Sequence, residues 1–167
     1  MAGYTSTKSQ IWSLDLIVGI MIFLGAIFLF YKYSTNLSNL QQEDVNTLIE
    51  DAKVVSSYLV SEGYPADWGS DNVTMIGLAG KEHTLDRGKL QAFDQMAQAD
   101  YQNTKAILST KNDFFVFLED KEGNIKEIAG VYWIGKNYSI EDPKDIIRVY
   151  RFLYYNSSIL RMGIYLW

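Results

Sequence analysis

The sequence predicts an α+β protein: a long N-terminal transmembrane helix continuing into a head with a second helix and an antiparallel sheet of about four strands. Three observations carry this expectation. Ile11 to Tyr31 is an almost wholly apolar run of 21 residues, and no proline or glycine interrupts the chain from Tyr31 to Glu62. From Asp113 onward, helical spacing gives way to β-rich runs separated by turn-forming residues.

The apolar run comes first. At a helical rise of about 1.5 Å per residue it covers roughly 31 Å, close to the ~30 Å hydrocarbon core of a bilayer. Leu16 to Phe30 alone reaches only about 22 Å, so the preceding turn has to be included. Asp15 then lies about 6 Å inside one edge, where a charge is costly and usually has a partner. The organisation read from this is a leader over 1–9, a transmembrane helix over 10–32, a helical extension over 33–62 and a head over 63–167. Lys8 and the amino terminus flank one end and Lys32 the other, so the basic count favours the leader inside by a narrow margin. A conventional signal peptide fits poorly, because Tyr31-Lys-Tyr-Ser-Thr offers no small-x-small cleavage site.

In the extension, Leu37, Leu40, Val45, Leu48, Ala52, Val55 and Leu59 fall within an arc of about 140° at 100° per residue. This stripe either covers the head's own sheet or offers a face for packing. Gly63-Tyr-Pro stops the helix. Ala66 to Asp71 reads as a loop and Val73 to Leu78 as a short strand. Asp86 or Thr84 caps a second helix in which Leu90, Phe93, Ala97, Tyr101 and Leu108 recur at helical spacing, with Asn103 and Thr104 weakening its far end. Phe114 to Leu118 and Ile125 to Ile134 form a hairpin across Glu119-Asp-Lys-Glu-Gly-Asn. Ile146 to Tyr155 and Ile159 to Trp167 form another around Asn156-Ser-Ser. Leu160, Met162, Ile164 and Leu166 alternate onto one face, the half-buried strand pattern.

Composition narrows the function. Beyond Lys32 the chain carries 13 basic and 19 acidic side chains. Such a head repels phosphate backbones and anionic lipid surfaces, so nucleic acid is not an expected partner. There is no cysteine, which removes disulfides, thiolate zinc sites and cysteine nucleophiles. Asn36, Asn72, Asn137 and Asn156 each begin a glycosylation sequon. Four is more than the Asn, Ser and Thr content supplies by chance, and all follow the apolar run. They read either as external glycosylation sites, in agreement with an exterior head, or as polar turns.

Catalytic chemistry finds little support, and an enzyme is not expected. His83 is the only histidine and lies in a turn-like Lys81-Glu-His-Thr. No Gly-x-Ser-x-Gly elbow is present, and Gly77-Leu-Ala-Gly80 lacks the lysine of a phosphate loop. Asp67, Asp71 and Asn72 crowd one loop without the spacing of an EF-hand, so turn chemistry is the reading and no metal or cofactor is assigned. Arg148, Arg151 and Arg161 fall in the terminal hairpin, where cross-strand pairs with acidic neighbours are expected. Tyr132, Trp133, Tyr150, Phe152, Tyr154, Tyr155, Tyr165 and Trp167 are too many to bury in a small head. Either some form an interaction patch or the tyrosines stand half exposed over the sheet.

Lys8-Ser9-Gln10-Ile11, followed directly by the apolar run, resembles an archaeal class III (prepilin-type) signal sequence, and Gln10-Ile-Trp-Ser-Leu-Asp15 resembles the opening of archaeal type IV pilin-like proteins. The resemblance covers about residues 8–31. It implies cleavage by a prepilin-type peptidase between Ser9 and Gln10, with Gln10 as the mature amino terminus. It also implies that Asp15 neutralises the terminal amine of a neighbouring subunit, one residue later than the family's usual glutamate. Ser9 stands where glycine is commoner, the leader has a single lysine, and a second helix is unlike the all-β heads of many archaeal pilins. These departures suit a minor or specialised subunit. The segment from Ser61 to Trp68, Ser-Glu-Gly-Tyr-Pro-Ala-Asp-Trp, is also similar to archaeal membrane proteins with this kind of anchor. The expectation is a pilin-like subunit, structural or minor, of a cell-surface filament or its assembly machinery, in a single-pass membrane protein with its head outside. The competing expectation is a non-polymerising anchored binding module: an adhesin, a receptor or a complex subunit.

Overall fold

The computed structural model describes the backbone of residues 7–167 and the side chains of residues 15–34 and 45–167. The fold is α+β. Helix α1 runs over Thr7–Leu59, 53 residues. The chain separates into two units, residues 1–44 and 45–167. In the first, Asp15–Ser34 is exposed along its length, with a mean hydropathy of 2.1, and is long and apolar enough to cross a membrane.

In the second unit, the last turns of α1 bury Leu48, Ala52, Val55 and Leu59, spaced to lie on one helical face. Val45 is half-buried beside them, while Leu37 and Leu40 lie outside the residues whose side chains are described. Asp51 ties this helix to the segment before the sheet, accepting hydrogen bonds from Thr110 Oγ1 (2.9 Å) and Asn112 Nδ2 (2.8 Å).

Past α1 the chain turns at Gly63, whose φ of +74° suits a residue without Cβ. The expected strand over Val73–Leu78 is absent. Met75 makes one isolated bridge with Tyr64, and the backbone then turns to the end of α1, with Leu78 N–H on Leu59 O and Ala79 N–H on Ser61 O, each 2.9 Å. Gly77 explains the failure: a Cβ there would lie 2.3 Å from Gly63 N and 2.4 Å from Ser61 O. The segment presses its backbone against the helix end, leaving no ladder to form. Buried Trp68 Nε1 donates to Gly77 O (2.8 Å), and the Lys89 amine donates to Glu62 O (2.7 Å) and Ala79 O (3.1 Å).

Helix α2, Arg87–Ala99, is capped by Asp86, not Thr84; the Asp86 carboxylate accepts from Gly88 N (2.8 Å) and Lys89 N (3.2 Å). The single helix expected through Leu108 is two. Asp100 leaves helical geometry at φ −147°, and its carboxylate caps α3, Tyr101–Ile107, by accepting from Asn103 N at 3.0 Å. The apolar period carries across the break, so periodicity alone misses it.

The sheet contains β1 (Phe114–Glu119), β2 (Trp133–Gly135), β3 (Ile147–Tyr155) and β4 (Ser158–Leu166), all antiparallel, in the order β2-β1-β4-β3. The expected strand over Ile125–Ile134 shrinks to β2. Ile125 makes only an isolated bridge to Glu119, and Ala129 and Gly130 turn the chain at positive φ. A short helix, α4 (Tyr138–Glu141), precedes β3. Asn156 and Ser157 join β3 to β4, both at positive φ, the backbone of a two-residue type I′ hairpin.

Phe114, Val116 and Leu118 of β1 pair with Leu166, Ile164 and Met162 of β4 on the inner face. That face joins Leu90, Phe93 and the α1 stripe in one core, with the Phe93 and Phe114 rings stacked at 5.8 Å. Asp113, just before β1, sits 2.8 Å from Lys105 Nζ and 2.7 Å from Lys136 Nζ. Burial acts to raise the carboxyl's pKa, but the hydrogen bonds and charges of the two lysines outweigh it and hold it below the usual carboxylate range.

Two outcomes are expected. A carboxyl whose pKa is lowered by folding stabilises the fold above its unfolded pKa, and that contribution is lost as pH falls through the folded one. Acid unfolding below about pH 4 therefore includes loss of this triad; Asp113→Asn costs about 1–3 kcal/mol at neutral pH and weakens the acid dependence of the unfolding midpoint. In β4, Gly163→Ala forces a methyl into the Phe117 ring, whose nearest atom lies 2.3 Å from a Cβ at that position. It should cost about 1–3 kcal/mol in denaturant unfolding, with partial recovery when Phe117 is shortened to Leu.

Candidate functional site

Two surfaces stand out. The first is the exposed apolar stretch of α1, described over Asp15–Ser34. Ser9 and Gln10 lie on the helical backbone of α1, but their side chains are outside those described, as is the side chain of Asn36.

The second is the outer face of the sheet, and strand register maps it. One row across the strands holds Gly135, Phe115, Tyr165 and Arg148; the next holds Trp133, Phe117, Gly163 and Tyr150. Toward the β3–β4 turn follow Glu119, Arg161 and Phe152, then Ile159 and Tyr154. Phe115, Phe117 and Tyr165 are buried in a second cluster, with Tyr138 and Ile146 packed against it. The Phe117 and Tyr165 rings meet edge to face at 5.1 Å, as do Tyr138 and Tyr165. Around this cluster the surface stays apolar: Trp133 is 49% exposed, Tyr154 54%, Ile159 56% and Phe152 66%.

The arginines divide. Arg161 forms the expected cross-strand pair, its Nε donating to Glu119 Oε2 at 2.5 Å, and its guanidinium lies 5.0 Å from the Tyr150 ring centre. Arg148 and Arg151 have other roles. Arg148 stacks over Tyr165 at 5.1 Å. Arg151 falls on the inner face by strand alternation and donates through Nη2 to buried Ser56 of α1 (3.0 Å), leaving its buried Nε without a hydrogen-bond partner. The Tyr150 and Tyr165 hydroxyls share a hydrogen bond of 2.8 Å. Burial, then that bond, pushes the Tyr165 pKa well above the ordinary tyrosine value, so the hydroxyl is neutral at physiological pH. Rings, hydroxyls and guanidinium faces of this kind suit contact with a partner.

Other candidates resolve simply. His83 is exposed in a turn at φ +56°. Asp67 and Asp71 are exposed; Asp71 accepts from Ser70 and Asn72 Oδ1 accepts from Gly69 N, which is turn chemistry. Among the described residues no group of three His, Asp or Glu is placed to hold a metal. An open groove of about 500 Å³ is lined by Glu62, Asp67, Trp68, Lys81, Asp86 and Lys89, but two backbone carbonyls occupy the Lys89 amine. Asn137 caps α4 through Ser139 N (3.0 Å), and Asn156 is exposed in the hairpin turn.

Sequence reasoning missed Ile140, which is 80% exposed in α4 beside exposed Glu141 and Asp142. The available signal was an isoleucine amid Glu141-Asp142-Pro-Lys-Asp145, in a segment with no strand or helix period.

The Glu119–Arg161 pair is checkable by a double-mutant cycle. Glu119 is buried, so Arg161→Met leaves a carboxylate without its cation and should cost about 1–3 kcal/mol of unfolding free energy. Adding Glu119→Gln to Arg161→Met should recover most of that loss. The chain matches no protein-family model, no curated protein and no solved structure.

Proposed function

We propose that this protein is a type IV pilin-like subunit, a structural or minor component of a cell-surface filament or of its assembly machinery. One observation carries the reading: the exposed apolar stretch described over Asp15–Ser34 and the buried stripe from Leu48 to Leu59 belong to one helix, α1. A filament subunit needs that combination. Its apolar helix is stored in the membrane and later packs among copies of itself, while the far end of the same helix is built into the head.

In this reading residues 1–9 are a leader removed by a prepilin-type peptidase. Asp15 then pairs with the amine of Gln10 on a neighbouring subunit, which offsets the cost of a carboxylate in hydrocarbon. The head faces outward. Asn72 and Asn156 are exposed in turns, and half-buried Asn137 caps α4; the two exposed positions suit glycosylation in this reading.

The second reading, a permanently tethered adhesin, receptor or complex subunit, draws on the exposed rings of the outer sheet face. The N-terminal residue separates the two. Protein from native membranes should begin at Gln10 if the subunit is processed and should keep residues upstream of Gln10 if the helix is a permanent tether. Asp15→Ala should leave membrane insertion intact and abolish or sharply reduce filament yield; undiminished filaments overturn the pairing.

A further inference from the structure

We infer that Asn156 carries an N-linked glycan that folds back over the exposed Phe152–Tyr154–Ile159 patch of its own head and shields it from water. The inference deepens the reading above and rests on its outward-facing head.

Phe152, Tyr154 and Ile159 are each more than half exposed, and the Tyr154–Ile159 pairing makes the patch contiguous. Among the described residues nothing covers these side chains. The Thr84–Leu85 segment meets only the backbone of Tyr154, with Leu85 N–H donating to Tyr154 O at 2.8 Å. The neighbouring cations are already engaged. Arg161 is paired with Glu119 and lies over Tyr150, and Arg151 turns inward to Ser56. What remains is an apolar, ring-faced surface without a free charge, and an uncharged ligand with an apolar face fits it. A pyranose is such a ligand: its C–H face stacks on the negative face of an aromatic ring while its hydroxyls stay in water.

The attachment point lies beside the patch. Asn156 and Ser157, at φ +48° and +62°, form the turn that leads from Tyr155 to Ser158. Asn156-Ser157-Ser158 is a sequon, and all three residues are exposed. Asn72 and Asn137 use their side-chain oxygens within the fold, on Gly69 N and Ser139 N, whereas no hydrogen bond engages the Asn156 amide. Two residues, at most about 7 Å of chain, separate Asn156 from Tyr154, and four, at most about 13 Å, from Phe152. The first sugar therefore stands beside Tyr154 and Ile159, and those that follow reach Phe152. Because the tether is covalent, weak ring stacking is enough to hold the cover in place.

Formation of the link is a displacement. Asn156 Nδ2 attacks the anomeric carbon of a lipid-phosphate-linked oligosaccharide delivered by a membrane transferase. A C–N bond forms, the bond from that carbon to the phosphate oxygen breaks, the phosphate leaves with its lipid, and one amide proton passes to a base of the transferase.

The test is hydroxyl-radical labelling of the full-length protein in native membranes, read by mass spectrometry. Cleavage after Arg151 and Arg161 gives one peptide, 152–161, that holds both patch and sequon. It should carry sugar mass in the wild type and in Ser158→Thr, and none in Ser158→Ala, which keeps Asn156 and its turn. Oxidation of Phe152, Tyr154 and Ile159 should rise several-fold in Ser158→Ala, while exposed Tyr64 and Ile140 stay unchanged. Asn156→Gly, which suits the positive φ, should repeat the Ser158→Ala result. A wild-type peptide without sugar, or patch oxidation equal with and without the sugar, overturns the proposal; protection that persists in Ser158→Ala belongs to a protein partner and overturns it as well. Equal oxidation beside an intact glycan, in subunits beginning at Gln10, defeats the cover and leaves the subunit reading standing. A glycosylated, protected patch in protein that keeps residues upstream of Gln10 supports the cover and defeats that reading.

Discussion

A sheet covered by helices on one side must close its other side with its own side chains. Here that closure depends on the Phe117 ring lying over Gly163 of the neighbouring strand. A side chain at position 163 would lift the ring and part it from Tyr165. With the ring over this glycine, β1 is buried along its whole length on both faces, although no long helix covers the outer one. Aromatic side chains suit this role, since each removes a large apolar area from water at a low cost in side-chain freedom. The closure is incomplete. It seals the central strands and leaves rings exposed along β3 and at β2, which is why the outer face has both a core and a surface that can bind.

Much of this was legible in the sequence because period is a strong signal where one face is buried. The alternation of Leu160, Met162, Ile164 and Leu166 located β4, and the stripe ending at Leu59 located the packed end of α1. What failed did so for local reasons. Val73 to Leu78 has strand-like composition, but Gly77 is pressed against the backbone of Gly63 and Ser61, a long-range contact that composition does not carry. Ile125 to Ile134 is β-rich yet folds back at Ala129 and Gly130. The break at Asp100 was hidden because the apolar spacing runs through it; the cue was a capping residue in mid-helix. At the candidate site, Arg161 pairs with its acidic neighbour, while Arg151 does not because alternation turns it inward toward Ser56.

The segment from Ser61 to Ala79 also has a physical account. Trp68, Gly63, Gly77 and the Lys89 amine together fasten the exit of α1 to the start of α2. Lys89 is buried with carbonyl oxygens as its hydrogen-bond partners, so it works as a clasp for backbone acceptors that the end of a helix leaves open. A lysine so committed is a poor nucleophile, and the groove beside it is better understood as the margin of a structural joint than as a reaction site.

The strand order has a consequence for how the protein is made. β4 is the last strand in the chain, yet it lies between β1 and β3 and sets the register of both. While the polypeptide leaves the ribosome, β1 has no central partner, and the stripe on α1 has emerged some hundred residues ahead of its cover. Local helices form early, whereas the sheet waits for its latest member. The second unit thus stays unfinished for most of its synthesis, a period in which chaperoning matters more than for a protein whose neighbouring strands are consecutive.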